Sequence, residues 1–142
     1  MTACPCAMET ARAKLDPNSR IPAGLPFITH NQRNRVRLEI EVPEGGDVEA
    51  ADLVDLAERS GSAPTFELLK RGDEGDLVIQ AHRTPRFVED VVREVLAAVA
   101  TRYKHLPATC EVLVSSEAEE SIHKHNAYAE ERTTIGALRR KP

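Results

Sequence analysis

The order of elements along the chain predicts an α+β fold, an antiparallel sheet with helices on one face. Three observations carry this: a two-residue alternation beginning at Arg35, two helical stripes that follow it, and two strand-like runs toward the C-terminus. Strand, helix, helix, strand, strand lacks the regular alternation that builds a parallel sheet. At 142 residues the chain has the size of one domain and is long enough to bury roughly 70% of its unfolded surface.

Taken in order, Ala7 to Lys14 reads as a short helix, stopped by the turn signal Asp16-Pro17-Asn18-Ser19. A Pro-rich loop through Pro22, Gly24 and Pro26 leads to His30. From Arg35 to Val42, apolar Val36, Leu38, Ile40 and Val42 alternate with Arg35, Arg37, Glu39 and Glu41, the pattern of a half-buried strand. After Pro43-Glu44-Gly45-Gly46, Asp47 is a good N-cap for a helix with Ala50, Leu53, Val54 and Ala57 on one side, ended by Gly61. Thr65 to Ala81 is ambiguous, and Gly72-Asp73-Glu74-Gly75 reads as a loop. Thr84 then caps a second helix with Pro85 at its first position and Val88, Val91, Val92, Val95 and Val99 as its buried stripe. Pro107 confirms the stop. Cys110, Val112 and Val114 predict a strand, and Ile122 to Ala129 a weaker one.

Composition narrows the function. A net charge of −4 from 19 basic and 23 acidic residues, with no basic run or aromatic stripe, excludes nucleic acid as the main partner. There is no secretory segment and no membrane-spanning apolar stretch, and three cysteines are an odd number for a disulfide framework. A reducing, cytoplasmic location is expected.

Chemistry concentrates at the two ends. Cys4 and Cys6 flank Pro5, which restricts the backbone between two thiols; such a pair is either an inert buried couple or a source of thiolate for a metal. His123 and His125 are two residues apart, so on a strand both rings leave one face. They read equally as surface residues or as a ligand with a proton-transferring neighbour, and Ala127 and Ala129 leave room beside them. His30 precedes the polar run Asn31-Gln32-Arg33, either a solvated loop or part of a site. Glu89 sits where acids favour a helix dipole and where Arg93 is an i,i+4 partner. His82 and His105 match no motif, and ordinary structural roles are expected.

Cys4-Pro5-Cys6, Thr29-His30-Asn31-Gln32-Arg33, Phe87-Val88-Glu89-Asp90 and Ser121-Ile122-His123-Lys124-His125-Asn126 occur in the order of one family signature. From Cys4 to about Ala129 the chain resembles the type IB GTP cyclohydrolases and their archaeal relatives of the methanopterin pathway. The resemblance implies the tunnelling fold, with a four-stranded antiparallel sheet and two antiparallel helices on one face, which assembles by subunit association. It also implies that residues 1–142 form a single module, the C-terminal half of a two-module enzyme. The expected partners are therefore further copies of the chain or an N-terminal half module.

On the same basis Cys4, His30, Glu74 and His123 are expected metal ligands, with Cys4 and His125 catalytic. Leu68-Leu69-Lys70-Arg71-Gly72-Asp73-Glu74 matches the segment carrying the family's carboxylate ligand, except that Gly72 replaces a proline of the bacterial pattern. Glu89 corresponds to the residue that anchors guanine, and Gln32, Arg33, Lys70 and Arg71 are further candidates for contacting GTP. The N-terminal string and the long path to His30 resemble the archaeal branch. That implies Fe2+, with Zn2+ or Mn2+ as alternatives, and a 7,8-dihydroneopterin 2′,3′-cyclic phosphate as product. A non-catalytic fragment or a structural metal-binding module is the competing expectation.

Overall fold

The computed structural model describes residues 1–14 and 25–140, so the expected turn at Asp16-Pro17-Asn18-Ser19 and the path through Pro22 and Gly24 lie outside the described residues. The elements run β1 (Thr2–Ala3), α1 (Pro5–Lys14), β2 (Asn31–Gln32), β3 (Asn34–Ile40), α2 (Ala50–Arg59), α3 (Arg71–Arg83), α4 (Val88–Arg102), β4 (Glu111–Ala118), β5 (Ala127–Thr134) and α5 (Ile135–Leu138). β3, β4 and β5 form an antiparallel sheet in that order, and β1 pairs with β2 in a separate antiparallel ribbon. The main sheet thus has three strands among the described residues, not four.

The expected alternation holds over β3, with Val36, Leu38 and Ile40 half-buried and Arg35, Arg37 and Glu39 exposed, but the strand ends at Ile40 and Val42, expected on the apolar side, is exposed. β4 lies between two partners and is buried along most of its length. Its register sets Leu38 opposite Val114 and Ser116 opposite Ala129, so Val36, Leu38, Ile40, Val112, Val114 and Ala129 share one face. The valine stripe of α4 covers that face. Val91, Val92, Val95, Leu96 and Val99 join Tyr103, Leu106, Val112, Val114, Ile135 and Leu138 in the core, with Leu53 and Leu56 of α2 packed against it. The opposite face carries charge, including Arg37 bonded to Glu39 and Arg132 bonded to Glu111 at 2.9 Å.

Four local expectations are corrected. β5 begins at Ala127, not Ile122, because its register against β4 runs from Ala118↔Ala127 to Glu111↔Thr134 and strand length is set by the partner. The segment Gly72-Asp73-Glu74-Gly75 is the first part of helix α3. The Asp73 carboxylate accepts the Lys70 N–H at 3.3 Å, a helix start that outweighs two glycines in open space. Helix α4 starts at Val88, with Asp90 accepting the Phe87 N–H at 2.9 Å; Thr84 instead ends α3, and residues 84–87 connect the two. The residue before α2 is Glu49, without a side-chain cap, in place of Asp47, and Val54 points to solvent. A turn at Glu44-Gly45 precedes α2. Gly46 N–H donates to Pro43 O at 2.8 Å, and Gly45 has φ 77°, which a glycine adopts without strain.

No helix among the described residues is long and apolar enough to cross a membrane. Ile135 is fully buried, whereas Leu68 is 89% exposed. Replacing Ile135 with Ala is expected to cost about 2–5 kcal/mol through lost burial and a residual cavity, while Leu68→Ala should stay within about 0.5 kcal/mol of the parent. Urea unfolding of both variants checks the contrast.

Candidate active site

β1 and β2 pair Thr2 with Gln32 and Ala3 with Asn31, which brings the start of the chain against residues thirty positions later. The Ala3 N–H donates to Ser62 Oγ at 3.1 Å, and the Ala3 carbonyl accepts the Arg86 N–H at 3.0 Å. Three remote segments therefore meet around one buried alanine. Pro5 then starts α1, a favoured place for proline.

A cleft of about 350 Å³ opens where these segments converge. Cys4, Cys6, Gln32, Glu89, His123 and His125 line it, together with Arg86, Glu120 and Tyr128. The thiols of Cys4 and Cys6 lie 3.1 Å apart, Cys4 half-buried and Cys6 exposed. Burial pushes the Cys4 thiol above its ordinary pKa; the backbone of Ala7 opposes this and the neighbouring Cys6 adds to it. His123 and His125 lie outside the strand on which they were expected, in the bend between β4 and β5. Their rings nevertheless stack, with centroids 5.4 Å apart and planes inclined by 25°.

Glu89 stands exposed in the first turn of α4, facing the cleft. Arg93, its expected helical partner, bonds Asp90 at 2.5 Å instead. His30 lies behind Gln32: its Nδ1 is 3.0 Å from Gln32 Oε1 and 3.3 Å from Ser121 Oγ, and its Nε2 is buried without a hydrogen-bond partner. His82 has the structural role expected of it. It is 1% exposed, its Nδ1 donates to Val78 O at 2.8 Å, and its Nε2 accepts the Thr29 N–H at 3.1 Å.

The other sequence candidates lie off the cleft. Lys70, Arg71 and Glu74 are exposed at the start of α3, and none of them lines it. Arg33 faces a second hollow of about 500 Å³, beside Arg35, Phe66 and Glu119, which has no cysteine or histidine in its wall. Thiol and imidazole donors, and a buried imidazole nitrogen with no partner, suit a divalent metal by type. Among the described residues, however, no three His, Cys, Asp or Glu side chains are gathered closely enough to hold one. The donors suit a metal by type, but the described residues do not gather them into one set.

Sequence reasoning missed Arg86, Glu120 and Tyr128 as cleft residues. No local pattern marks them; Arg86 arrives there because its backbone is tied to Ala3 and its guanidinium to Ser60 O at 2.8 Å.

The fold and the cleft define an α+β module that presents thiol, imidazole and carboxylate groups at one opening. A family model described as type I GTP cyclohydrolase folE2 matches residues 1–129, and the chain belongs to that family. It is 49% identical over 144 residues to a protein of Thermoplasma acidophilum named GTP cyclohydrolase MptA, covering 99% of this chain and 50% of the relative. Proteins with the same name from Methanothermobacter thermautotrophicus and Methanocaldococcus jannaschii are 44% and 40% identical, across 98% and 99% of this chain and 47% and 49% of theirs. The chain spans about half the length of the curated relatives it matches.

The start of α4 positions Glu89, so its capping acid is a sensitive point. Burial raises the Asp90 pKa, but the Phe87 N–H and the Arg93 guanidinium outweigh that and hold the carboxyl below its ordinary value. A depressed carboxyl contributes stability above its unfolded pKa of about 3.9, and that contribution is lost as pH falls through the folded value. Asp90→Ala is expected to cost about 0.3–1.5 kcal/mol at neutral pH, with the deficit shrinking below about pH 4. Urea titrations at the two pH values measure it.

Proposed function

We propose that this chain is a GTP cyclohydrolase module of tunnelling fold that opens the imidazole ring of guanine in GTP and releases C8 as formate. The product would be a 7,8-dihydroneopterin phosphate, the 2′,3′-cyclic phosphate by resemblance to the archaeal branch, in methanopterin biosynthesis. The observation that carries the reading is the meeting of three signature blocks at one cleft: Cys4 and Cys6, Glu89, and the stacked pair His123 and His125. The fourth block reaches it through Gln32.

Cys4, His30 and His123, with Glu74, would hold a divalent metal, Fe2+ by the same resemblance. Such an ion lowers the pKa of water and so supplies hydroxide at neutral pH. The Glu89 carboxylate would accept both N1–H and the 2-amino N–H of guanine, which fixes the ring and leaves C8 toward the opposite wall. His125 would give a proton to the departing ring nitrogen. Its ring stacks on that of His123, so the proton donor would stand beside a metal ligand.

Lys70, Arg71 and Glu74 all belong to the start of α3. Their shared absence from the cleft favours delivery by a second copy or by an N-terminal half module, with the site at a subunit boundary. Among the described residues the three-stranded sheet has two open edges, β3 and β5, which association would cover. A non-catalytic single module is the second reading, favoured by the incomplete donor set.

Anaerobic incubation of the purified chain with Fe2+ and GTP should yield formate and, after oxidation, pterin fluorescence. Absence of both, with the metal bound and the oligomer intact, would count against catalysis by this chain alone. Cys4→Ala, His30→Ala and His123→Ala should each lose metal. Glu89→Gln should keep metal but weaken GTP binding, and His125→Asn should keep both while the chemical step slows by about 10²–10⁴-fold. Sedimentation should show an oligomer, and mixing inactive Cys4→Ala and Glu74→Gln proteins should restore activity in mixed sites. A monodisperse, fully active monomer would reject the shared site.

A further inference from the structure

His30 is held firmly on one side of its ring and bare on the other. Gln32, which is 8% exposed, bridges it to Glu120: Gln32 Nε2 donates to Glu120 Oε1 at 3.1 Å, and Gln32 Oε1 lies 3.0 Å from His30 Nδ1. A carboxylate only accepts hydrogen bonds, so Glu120 takes the NH2 end of the amide and turns the Gln32 carbonyl toward the imidazole. That carbonyl also only accepts. The proton of a neutral His30 ring must therefore be on Nδ1, and the lone pair on Nε2. Ser121 Oγ, 3.3 Å from the same Nδ1, can accept the same N–H by rotating its hydroxyl.

The unpaired Nε2 is the unusual part. His30 Nε2 is buried and makes no hydrogen bond, although a buried acceptor without a partner is costly. The backbone beside it is also fixed, since the Thr29 N–H is bound by His82 Nε2 at 3.1 Å. We propose that Glu120 is a positioning residue: acting through Gln32, it holds His30 as the Nδ1–H tautomer and keeps the Nε2 lone pair available to a Lewis acid. The tautomer follows from the hydrogen bonds alone, whereas the Lewis acid rests on the metal reading above. Histidine ligands generally donate their second ring N–H to an acceptor that fixes tautomer and orientation. Here the acceptor is an amide whose direction is set one residue further out. Gln32, expected from sequence to contact GTP, thereby has a second task.

The test uses the full chain with 15N-labelled histidine, first free of metal and at a pH where the ring is neutral. Two-bond 1H–15N correlations should show His30 with its proton on Nδ1, and Glu120→Leu should shift it toward a mixture of tautomers. The double variant Q32E/E120Q exchanges the two polar groups, so Nδ1–H again faces an obligate acceptor, and it should restore the parent spectrum. Anaerobic titration with Fe2+ should show about 10–100-fold weaker binding in Glu120→Leu, recovered in the double variant. A wild-type ring protonated at Nε2, or an unchanged tautomer in Glu120→Leu, overturns the proposal. If the tautomer behaves as stated and neither protein binds metal, the relay stands and the metal reading falls.

Discussion

Ala3 is the constraint on which the rest of the site depends. It is fully buried, so neither of its backbone polar groups can turn to water, and both are bonded across the chain, to Ser62 and to Arg86. The ammonium of Met1 adds a bond to Ala63 O at 2.7 Å, and burial lowers its pKa against the opposing charge of Glu58. Because β1 is a single short pairing with β2, this small set of bonds fixes where Cys4 and Cys6 stand relative to Gln32 and to the start of α4. A stretch of two residues cannot hold itself in place; it is held by satisfying buried donors and acceptors from three directions.

The remainder of the fold supplies a rigid base for that junction. Closely packed valines on α4 cover one face of the sheet, and β-branched side chains lose little further rotamer freedom when they pack. The sheet's other face is left to three bonded pairs near the surface, Arg37 with Glu39, Tyr128 with Glu130 and Arg132 with Glu111. Exposed ion pairs of this kind contribute little to stability.

Distance from the junction also sorts the chemistry. Thiols, stacked imidazoles and Glu89 belong to segments tied to Ala3 or to the ends of β4 and β5, and they share the cleft. Lys70 precedes α3, and Arg71 and Glu74 lie in its exposed first turn. The family relation holds across both groups, while the geometry within one chain unites only the first.

The sequence by itself determined the α+β class, the alternation of β3, the valine stripe of α4 and the family, because each is carried by local periodicity or by a contiguous motif. Val91 and Val95 announce a buried helix face whatever they pack against. Tertiary structure decided the boundaries of β5, since a strand rich in Glu and Arg is recognised by its partner and not by its hydrophobicity. It also decided the helix at Arg71–Arg83, where Asp73 bonding the Lys70 N–H overrides the turn signal of Gly72 and Gly75. Most of all, it decided which signature residues meet. Side chains that are far apart in sequence acquire a common cleft only through the buried hydrogen bonds at Ala3, and Glu120 acquires its place beside His30 only through the intervening amide of Gln32.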